Sequence, residues 1–252
     1  MALADPELFN NYWVYMRDMI HPPWGSSLLN PSQYQIHNAY QMRSALQLQG
    51  YDEYAIAGII GNAQVESGIT TGAIQKPSVL PNGGGSMSDV PNSYMLQYYN
   101  PPSGGAGYGL GLLQWDRLSA LYLTNDLLGW TNANGYDWYD GAGQMARLDF
   151  EFNNDAIYHF WRQNYQMTWA EFKDFHNSRP TWGADDAADV WASNWELSSL
   201  SPEGRQARKD NAVYWFDWFA AHPTEPGGLK VWLLYKYAKE RRGFNVRKRI
   251  FV

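Results

Sequence analysis

Several absences limit what this chain can be. Its 252 residues include no cysteine, which excludes disulfide bonds, thiolate zinc sites and a cysteine nucleophile. The five histidines do not form a cluster with metal-ligand spacing, so we expect no metal ion and no other cofactor. No apolar run approaches the roughly 20 residues that span a bilayer. The N-terminal residues also lack the basic and then apolar layout of a signal peptide, so we expect no membrane span.

Positive charge is scarce until the C-terminal end of the chain. From Gly227 onwards there are eight Lys and Arg residues and one acid, Glu240, whereas residues 1–226 carry a net charge of −13. We interpret residues 222–228 as a linker and residues 229–252 as a basic tail. The tail interleaves its charges with aromatic and aliphatic residues, which favours docking to a partner protein. Binding to nucleic acid or to an anionic membrane surface and a solvated tail are the alternatives, and of these we do not expect nucleic acid.

Aromatic residues are abundant, with 13 Trp and 18 Tyr. Most of them are expected to pack in the core, because apolar residues make up 45% of the chain and permit one large domain. Flat aromatic rings also stack on the apolar faces of sugar rings. Carbohydrate binding is therefore the functional alternative that the composition favours.

The hydrophobic periodicity predicts a mainly helical body over residues 33–221, preceded by a leader over residues 1–32 that packs on the body or on a partner. The helices that we expect are 33–48, 55–68, 117–128, 142–164, a short helix that Thr168–Glu171 opens as a capping box, 185–196 and a last helix from Ser201 to Phe219. The expected buried residues of the first and fourth helices are Ile36, Tyr40, Leu46, Leu48, Met145, Leu148, Phe152, Ile157 and Trp161. Residues 68–109 are rich in Gly and Pro and form an irregular lobe, in which we expect short β-strands around residues 94–99. Residues 130–140 are expected to be a turn-rich loop.

The second of these helices ends in a carboxylate that is a candidate for chemistry. Asp52 is placed to cap its start and Gly68 to cap its end. Gly58 and Gly61 weaken the helix by about 1 kcal/mol each relative to Ala, so we expect them to pack closely against another element. Glu66 lies where this buried helix opens into a polar loop, and desolvation there raises a carboxyl pKa and suits the group to donate a proton. The alternative is a helix-end carboxylate that faces water.

A second carboxylate would strengthen the case, because most glycosidases use two. Asp89, Asp116 and Glu196 are available, and no spacing rule chooses among them. Asp116 is expected to cap the helix that follows it. Glu196 lies at a helix end and is expected to be buried and paired, with Arg205 or Arg208 as its partner.

Two segments resemble motifs of the phage tail lysozyme family. They are Gly61-Asn62-Ala63-Gln64-Val65-Glu66-Ser67 and the stretch Gly107–Trp115, which contains Gly107-Tyr108-Gly109-Leu110 and Leu112-Leu113-Gln114-Trp115. The resemblance covers roughly residues 35–219. It continues in Phe150–Asn154, Met167–Phe172, Ala192–Glu196 and the Glu203-x-Arg205 helix with Tyr214-Trp215. This chain departs from the family pattern by an inserted Gly111 and by a longer lobe over residues 76–105.

The resemblance implies a fold and an activity. The fold is mainly α, of the α+β lysozyme-like kind, and the activity is cleavage of peptidoglycan glycan strands at the β-1,4 bond between MurNAc and GlcNAc. It implies that Glu66 is the general acid, acting as in a muramidase or in a lytic transglycosylase. The substrate contacts that we expect with it are Ser67, Tyr108, Gln114, Trp115 and Glu196.

The resemblance also implies a place of action. It suggests a protein of the virion, in the phage tail, that opens the bacterial cell wall locally during infection. Its expected partners are bacterial peptidoglycan and, through the leader and the basic tail, other phage tail or virion proteins. The alternatives are a virion structural protein that keeps the lysozyme fold without activity and a peptidoglycan-binding module.

Overall fold

The computed structural model describes residues 31–75, 91–98, 108–119, 124–162, 164–196 and 201–225. This part of the chain is mainly helical, as the sequence predicts. In chain order its elements are α1 (Gln33–Leu48), α2 (Glu53–Ser67), α3 (Asn92–Tyr98), β1 (Leu118–Ser119), β2 (Thr124–Asn125), α4 (Asp126–Asn134), α5 (Gly141–Tyr158), α6 (Trp169–Lys173), α7 (Phe175–Ser178), α8 (Ala184–Trp191), a π-helical segment (Ala192–Glu196) and α9 (Pro202–Ala221). None of the helices in these ranges has both the length and the apolar character needed to cross a membrane. The expected leader and basic tail lie outside the described residues, apart from the last two residues of the leader.

Helix α2 is the centre of the fold. It packs against α8 and α9 and is buried on all sides, with Ala55 to Val65 entirely inside the protein. A helix that is apolar around its whole circumference is typical of a position in the core. The sequence signals at both ends are confirmed, since the Asp52 carboxylate accepts a hydrogen bond from the backbone N–H of Ala55 and Gly68 ends the helix in the left-handed conformation.

The two glycines of α2 allow its neighbours to approach closely, as their presence in a buried helix predicts. A Cβ atom on Gly58 would lie 2.8 Å from the backbone carbonyl carbon of Ala187 in α8. A Cβ atom on Gly61 would lie 2.7 Å from the backbone nitrogen of Ala212 and 2.8 Å from the carbonyl oxygen of Arg208, both in α9. These distances are too short for any side chain, so the packing of three helices depends on glycine at both positions.

The prediction of a helix over residues 117–128 was wrong. Residues Leu118–Ser119 and Thr124–Asn125 pair instead as a short antiparallel ladder. Asn125 then caps α4, because its side-chain oxygen accepts from the backbone N–H of Leu127 at 3.0 Å. The helix therefore begins nine residues later than expected. It also occupies the first half of the expected loop at 130–140 and ends only at Gly135, which has φ +73°.

The short strands expected around residues 94–99 are also absent from the described part of that stretch, which forms α3. Asn92 at its start bonds to the backbone of a distant loop, donating to Tyr136 O and accepting from Trp138 N at 2.8 Å. Met95 of α3 is fully buried. The helix is thus stabilised by contacts with residues distant in sequence, which local helix propensity cannot predict.

Helix α5 is shorter than expected, because His159 turns the chain with φ +55° and the Asp155 carboxylate accepts from Trp161 N at 2.6 Å. Trp161 is buried, as predicted, but it lies beyond the helix. Two other predictions of burial were wrong, since Ile157 is 67% exposed and Leu48 is 63% exposed. Both residues lie in the last turn of a helix. That turn extends beyond the core, so side chains on the inward face of the helix are exposed there.

The expected linker over residues 222–228 is described only to residue 225, and that part lies against α1. Tyr40 donates its hydroxyl proton to His222 O, and Arg43 Nη1 donates to Pro223 O at 3.1 Å. The imidazole Nδ1 of His37 lies 2.7 Å from Glu225 Oε1. These three contacts join the end of α9 to the first helix of the body.

Candidate active site

Glu66 lies in the last turn of α2, one residue before Ser67. Its side chain is 12% exposed, so the carboxyl group is mostly buried and still reaches the surface. The guanidinium of Arg208 in α9 donates from Nη2 to Glu66 Oε1. Arg208 is itself buried, with its side chain 2% exposed. The carboxylate proposed from the sequence therefore has a buried cationic partner.

The same guanidinium meets a second carboxyl group. Glu196, the last residue of the π-helical segment, places Oε2 3.4 Å from Arg208 Nε. Its side chain is 7% exposed, and neither of its oxygens has a hydrogen-bond partner of good geometry among the described residues. Of the two partners that the sequence suggested for Glu196, the structure selects Arg208. The other, Arg205, pairs with Asp189 at 2.5 Å.

Burial controls the titration of both carboxyl groups. Desolvation raises the pKa of Glu66, and the attraction and hydrogen bond of Arg208 oppose that shift. Desolvation and the nearby charge of Glu66 raise the pKa of Glu196, Arg208 opposes them, and the net result is a pKa of about 8. Poor solvation disfavours the charged form of a carboxyl group. A proton is therefore held in this cluster at a pH where a free glutamate is ionised.

The segment 108–117 lies beside the end of α2 as a tight turn. Leu110 and Trp115 pair across it, with backbone hydrogen bonds of 3.2 and 3.0 Å. Gly111 turns the chain at φ +75°, and a Cβ there would lie 2.6 Å from the Gln144 amide. Gln144 accepts from Leu112 N at 2.8 Å. Gly111 therefore forms the corner of the turn, at a position where no side chain would fit.

Ser67 joins the acid-bearing helix to that turn. Its Oγ lies 2.8 Å from Leu112 O and 3.0 Å from Ala63 O, and it accepts from Thr70 N at 3.3 Å. The residue is buried. Its hydroxyl is thus hydrogen-bonded to the backbone of α2 and of the turn, so Ser67 holds these two elements together. Its expected contact with a substrate remains a prediction.

Gln114 has a strained backbone conformation and a side-chain oxygen that is unpaired in the described part of the chain, two features that are typical of functional sites. Its φ of +50° lies in the left-handed region, which is uncommon for residues other than glycine. The amide donates from Nε2 to Gly111 O at 2.9 Å, whereas its buried Oε1 has no partner among the described residues. Backbone strain of this kind costs of order 1–3 kcal/mol and gathers at functional sites.

The other two expected substrate contacts differ in exposure. Tyr108 is half-buried, and its carbonyl accepts from Asn125 Nδ2 at 3.1 Å. Trp115 is only 2% exposed, and its indole Nε1 donates to Glu151 Oε1 at 2.9 Å. Its ring is packed in the core and has no free face to offer a sugar in this arrangement.

Asp116 follows the turn as an exposed residue. It caps no helix, contrary to expectation, since Arg117 and β1 follow it. Although the residue as a whole is exposed, its carboxyl group is partly desolvated, which raises the pKa of Asp116 against the charge of Arg117. Asp116 is also one of the charges that raise the pKa of Glu66. Asp89, the other candidate, lies outside the described residues.

Comparison with known proteins decides the family. A family model for phage tail lysozyme matches residues 37–219. The chain belongs to the phage tail lysozyme family. It is also 25% identical over 181 residues to "Morphogenesis protein 1" of Bacillus phage B103, a match that covers 71% of this chain and 38% of that protein. The chain therefore spans well under half the length of this relative. The family supports a phage-associated, lysozyme-like protein of the glycosidase type.

Two residues that hold the site, Asn125 and Glu151, were not singled out from the sequence, and Arg208 was expected only as a partner of Glu196. Arg208 pairs with both glutamates, Asn125 bonds the turn at Tyr108 and Trp115, and Glu151 accepts from two tryptophans. The family resemblance covered the last of these, because it includes the Phe150–Asn154 stretch. A signal for Arg208 was present as well, since an arginine on the inner face of α9 requires an anion.

No metal centre accompanies these groups in the described ranges, where no set of three or more His, Asp and Glu side chains is arranged to hold an ion.

Proposed function

We propose that this protein cleaves the glycan strands of peptidoglycan at the β-1,4 bond between MurNAc and GlcNAc, with Glu66 as the general acid. The observation that carries the proposal is the state of the Glu66 carboxyl group, which is mostly buried, has a raised pKa and still reaches the surface. An acid for glycoside cleavage needs these properties, because it must hold a proton near neutral pH and touch the leaving oxygen. Membership of the phage tail lysozyme family supports it.

In the proposed reaction Glu66 gives its proton to the glycosidic oxygen as the bond from C1 to that oxygen breaks. The oxocarbenium-like sugar is then captured by water in a muramidase or by its own 6-hydroxyl in a lytic transglycosylase. In both cases the nucleophile returns a proton to the Glu66 carboxylate, which restores the acid. One carboxyl group suffices when the nucleophile is intramolecular.

The substrate is proposed to lie over the surface where Glu66, Tyr108 and Asp116 are accessible. The unpartnered Oε1 of Gln114 is buried, so its contact with a sugar hydroxyl or an N-acetyl N–H would require the turn to open. Asp116 is the exposed carboxyl group nearest in sequence to this turn, and we propose it as the second carboxylate if the product is a reducing sugar. Glu196 is too buried to act as this second carboxylate. We propose that it acts on Glu66 and does not contact the sugar.

Mass spectrometry of muropeptides released from purified cell walls tests the proposal. The wild-type protein should release fragments, and Glu66→Gln should release none above background while keeping its circular dichroism spectrum. Anhydro ends identify a transglycosylase, and reducing ends identify a hydrolase. Glu203→Gln is the matched control, because Glu203 is an exposed glutamate at the start of α9. Full activity of Glu66→Gln would refute the assignment.

A second candidate is an inactive protein that keeps the lysozyme fold as a virion component. The direct bond from Arg208 to Glu66 favours it, because a carboxylate paired with a buried cation has a structural use of its own. Folded protein that cleaves no wall from several hosts would support this candidate. Retention on cell walls without released product would instead indicate a peptidoglycan-binding module.

We also propose that the protein acts from the phage tail and attaches there through residues 1–32 and 229–252. These segments lie almost wholly outside the described residues, and the proposal depends on their composition and on the family. Deleting residues 229–252 should leave cleavage of soluble glycan fragments unchanged and remove incorporation into particles. Loss of cleavage on soluble fragments would contradict this division of roles.

A further inference from the structure

We propose that Glu196 and Arg208 are positioning residues that determine how firmly Glu66 holds its proton. The inference rests on the proposed role of Glu66 as the general acid. Glu196 and Glu66 compete for one guanidinium, so that one carboxyl group is ionised and paired with Arg208 while the other keeps a proton.

The geometry of Arg208 carries this inference. Its Nη2 donates to Glu66, its Nε lies 3.4 Å from Glu196, and its Nη1 donates to Gly204 O at 3.2 Å. The guanidinium is buried, and α9 holds it between the end of α2 and the end of the π-helical segment. Two carboxyl groups from different elements therefore share one cation in a region that water reaches poorly.

Charge balance favours one proton in this cluster. With both glutamates ionised the three side chains carry a net charge of −1, and with both protonated they carry +1. With a single proton they are neutral. Since an uncompensated buried charge is costly, the neutral state prevails over a wide pH range, and the two carboxyl groups titrate as a coupled pair.

The location of the single proton decides whether the site is ready. When Glu196 is ionised and paired with Arg208, the proton is on Glu66 and is available to the leaving oxygen. When the proton is on Glu196, Glu66 is ionised against Arg208 and has nothing to donate. After donation the cluster carries −1 until the nucleophile returns a proton to Glu66, which closes the cycle without any other proton source.

Two further charges face the cluster from the 108–117 segment. Asp116 raises the pKa of Glu66, and Arg117 lowers that of Glu196. Arg117 is fixed in place, because its Nη2 donates to Trp195 O and its guanidinium lies 4.8 Å from the centre of the Trp195 ring. Arg117 therefore favours an ionised Glu196, and Asp116 favours a protonated Glu66. Both charges shift the pair toward the state that is ready to react, against the burial that favours a proton on Glu196.

Direct titration of the carboxyl groups tests the inference without any need for activity. The full chain is labelled with 13C at glutamate Cδ, and its chemical shifts are followed from pH 3 to pH 10 in the wild type, Glu196→Gln, Glu66→Gln and the control Glu203→Gln. In Glu196→Gln the pKa of Glu66 should fall by about 1 unit or more, because the carboxylate that competes with it for Arg208 is removed. In Glu66→Gln the pKa of Glu196 should fall from about 8 by a similar amount, because the coupling is reciprocal.

The two halves of the experiment separate this inference from the proposed function. If the titrations of Glu66 and Glu196 are independent, the inference is overturned, whether or not the protein cleaves peptidoglycan. The Glu66→Gln titration decides alone if Glu196→Gln does not fold. If the protein cleaves peptidoglycan, the alkaline limb of the pH–rate profile should move to lower pH in Glu196→Gln and stay in place in Glu203→Gln. An unmoved limb in Glu196→Gln overturns the positioning role, and coupled titrations without cleavage by the wild type overturn the proposed function.

Discussion

The indole rings of Trp115 and Trp195 meet edge to face, with their centroids 5.7 Å apart. Both donate to the buried Glu151, Trp115 Nε1 to Oε1 at 2.9 Å and Trp195 Nε1 to Oε2 at 2.8 Å. Trp115 directly follows Gln114, and Trp195 directly precedes Glu196. One carboxylate on α5 therefore joins the turn that faces the site to the segment that carries Glu196.

Replacing Glu151 with Gln should destabilise the protein strongly. The amide has one acceptor oxygen, so an indole N–H or the Arg147 guanidinium, which lies 3.0 Å from Glu151, loses its partner. Removing one member of a buried ion pair costs about 3–5 kcal/mol. Urea denaturation measures the difference in the free energy of unfolding. The exposed substitution Glu203→Gln should stay close to the wild type, and an equally small effect of Glu151→Gln would contradict the structure.

Replacing Gly61 with Ala should destabilise the protein even though alanine is the better helix former. The new methyl group would lie within 2.8 Å of backbone atoms of α9, which cannot move as a side chain does. We expect a net loss of about 1–3 kcal/mol in thermal or urea denaturation.

Gly204→Ala in α9 is the matched control for Gly61. Its new Cβ would meet only side-chain atoms, at 3.5 and 3.7 Å, which are ordinary contact distances. The helix-propensity gain of up to about 1 kcal/mol should then appear as stabilisation. Similar losses for both substitutions would show that the α2–α9 contact is looser than described.

The stability of the protein should fall as the pH rises through neutrality. The folded state holds the Glu196 proton more tightly than the unfolded chain, since its pKa rises from 4.5 to about 8. The folded state therefore binds more protons between these values, and the free energy of unfolding decreases with pH there, at up to about 1.4 kcal/mol per pH unit. Asp126, whose pKa burial raises to about 7, contributes in the same direction between about 3.8 and 7.

Urea denaturation in buffers from pH 5 to pH 9 measures this slope. Glu196→Gln should reduce the slope between pH 7 and pH 8, where Asp126 contributes less than Glu196 because its pKa is about 7. A slope equal to that of the wild type in this window would mean that Glu196 is ionised in the folded protein at neutral pH.

Residues 222–225 should stabilise the body, although their composition is that of a linker. A chain that ends at Ala221 loses the hydrogen bonds of Tyr40 and Arg43 to this stretch and the pairing of His37 with Glu225. Each contributes about 0.5–1.5 kcal/mol. The chain should therefore unfold at lower urea concentration than one that ends at Glu225. Coincident unfolding curves would show that residues 222–225 do not stabilise the body and belong to the linker.

The sequence predicts best where the deciding interaction is local. The Asp52 and Thr168 caps and the end of α2 at Gly68 involve atoms within a few residues, and all three are confirmed. The start of α4 was missed because the strand pair and the Asn125 contacts before it depend on the turn that ends at Trp115.

The candidate site follows the same division. The position of Glu66 at the end of a buried helix was predictable from spacing and from the family motif. Its partner was not, because Arg208 lies 142 positions away in sequence. The burial of Trp115 could not be predicted either, because it depends on contacts with Glu151 and Trp195, which lie on two other elements.

The contacts of residues 222–225 with α1 make the two chain ends of the body neighbours. His37, which meets Glu225, lies about one helical turn from the start of α1, a rise of roughly 6 Å. The two ends of the described body, residues 31 and 225, therefore lie on the same side of it. Tension applied through both of them would load the contacts between α1 and the end of α9 and bypass α2 with its glutamate. The body should also tolerate circular permutation, with a short peptide joining residue 225 to residue 31.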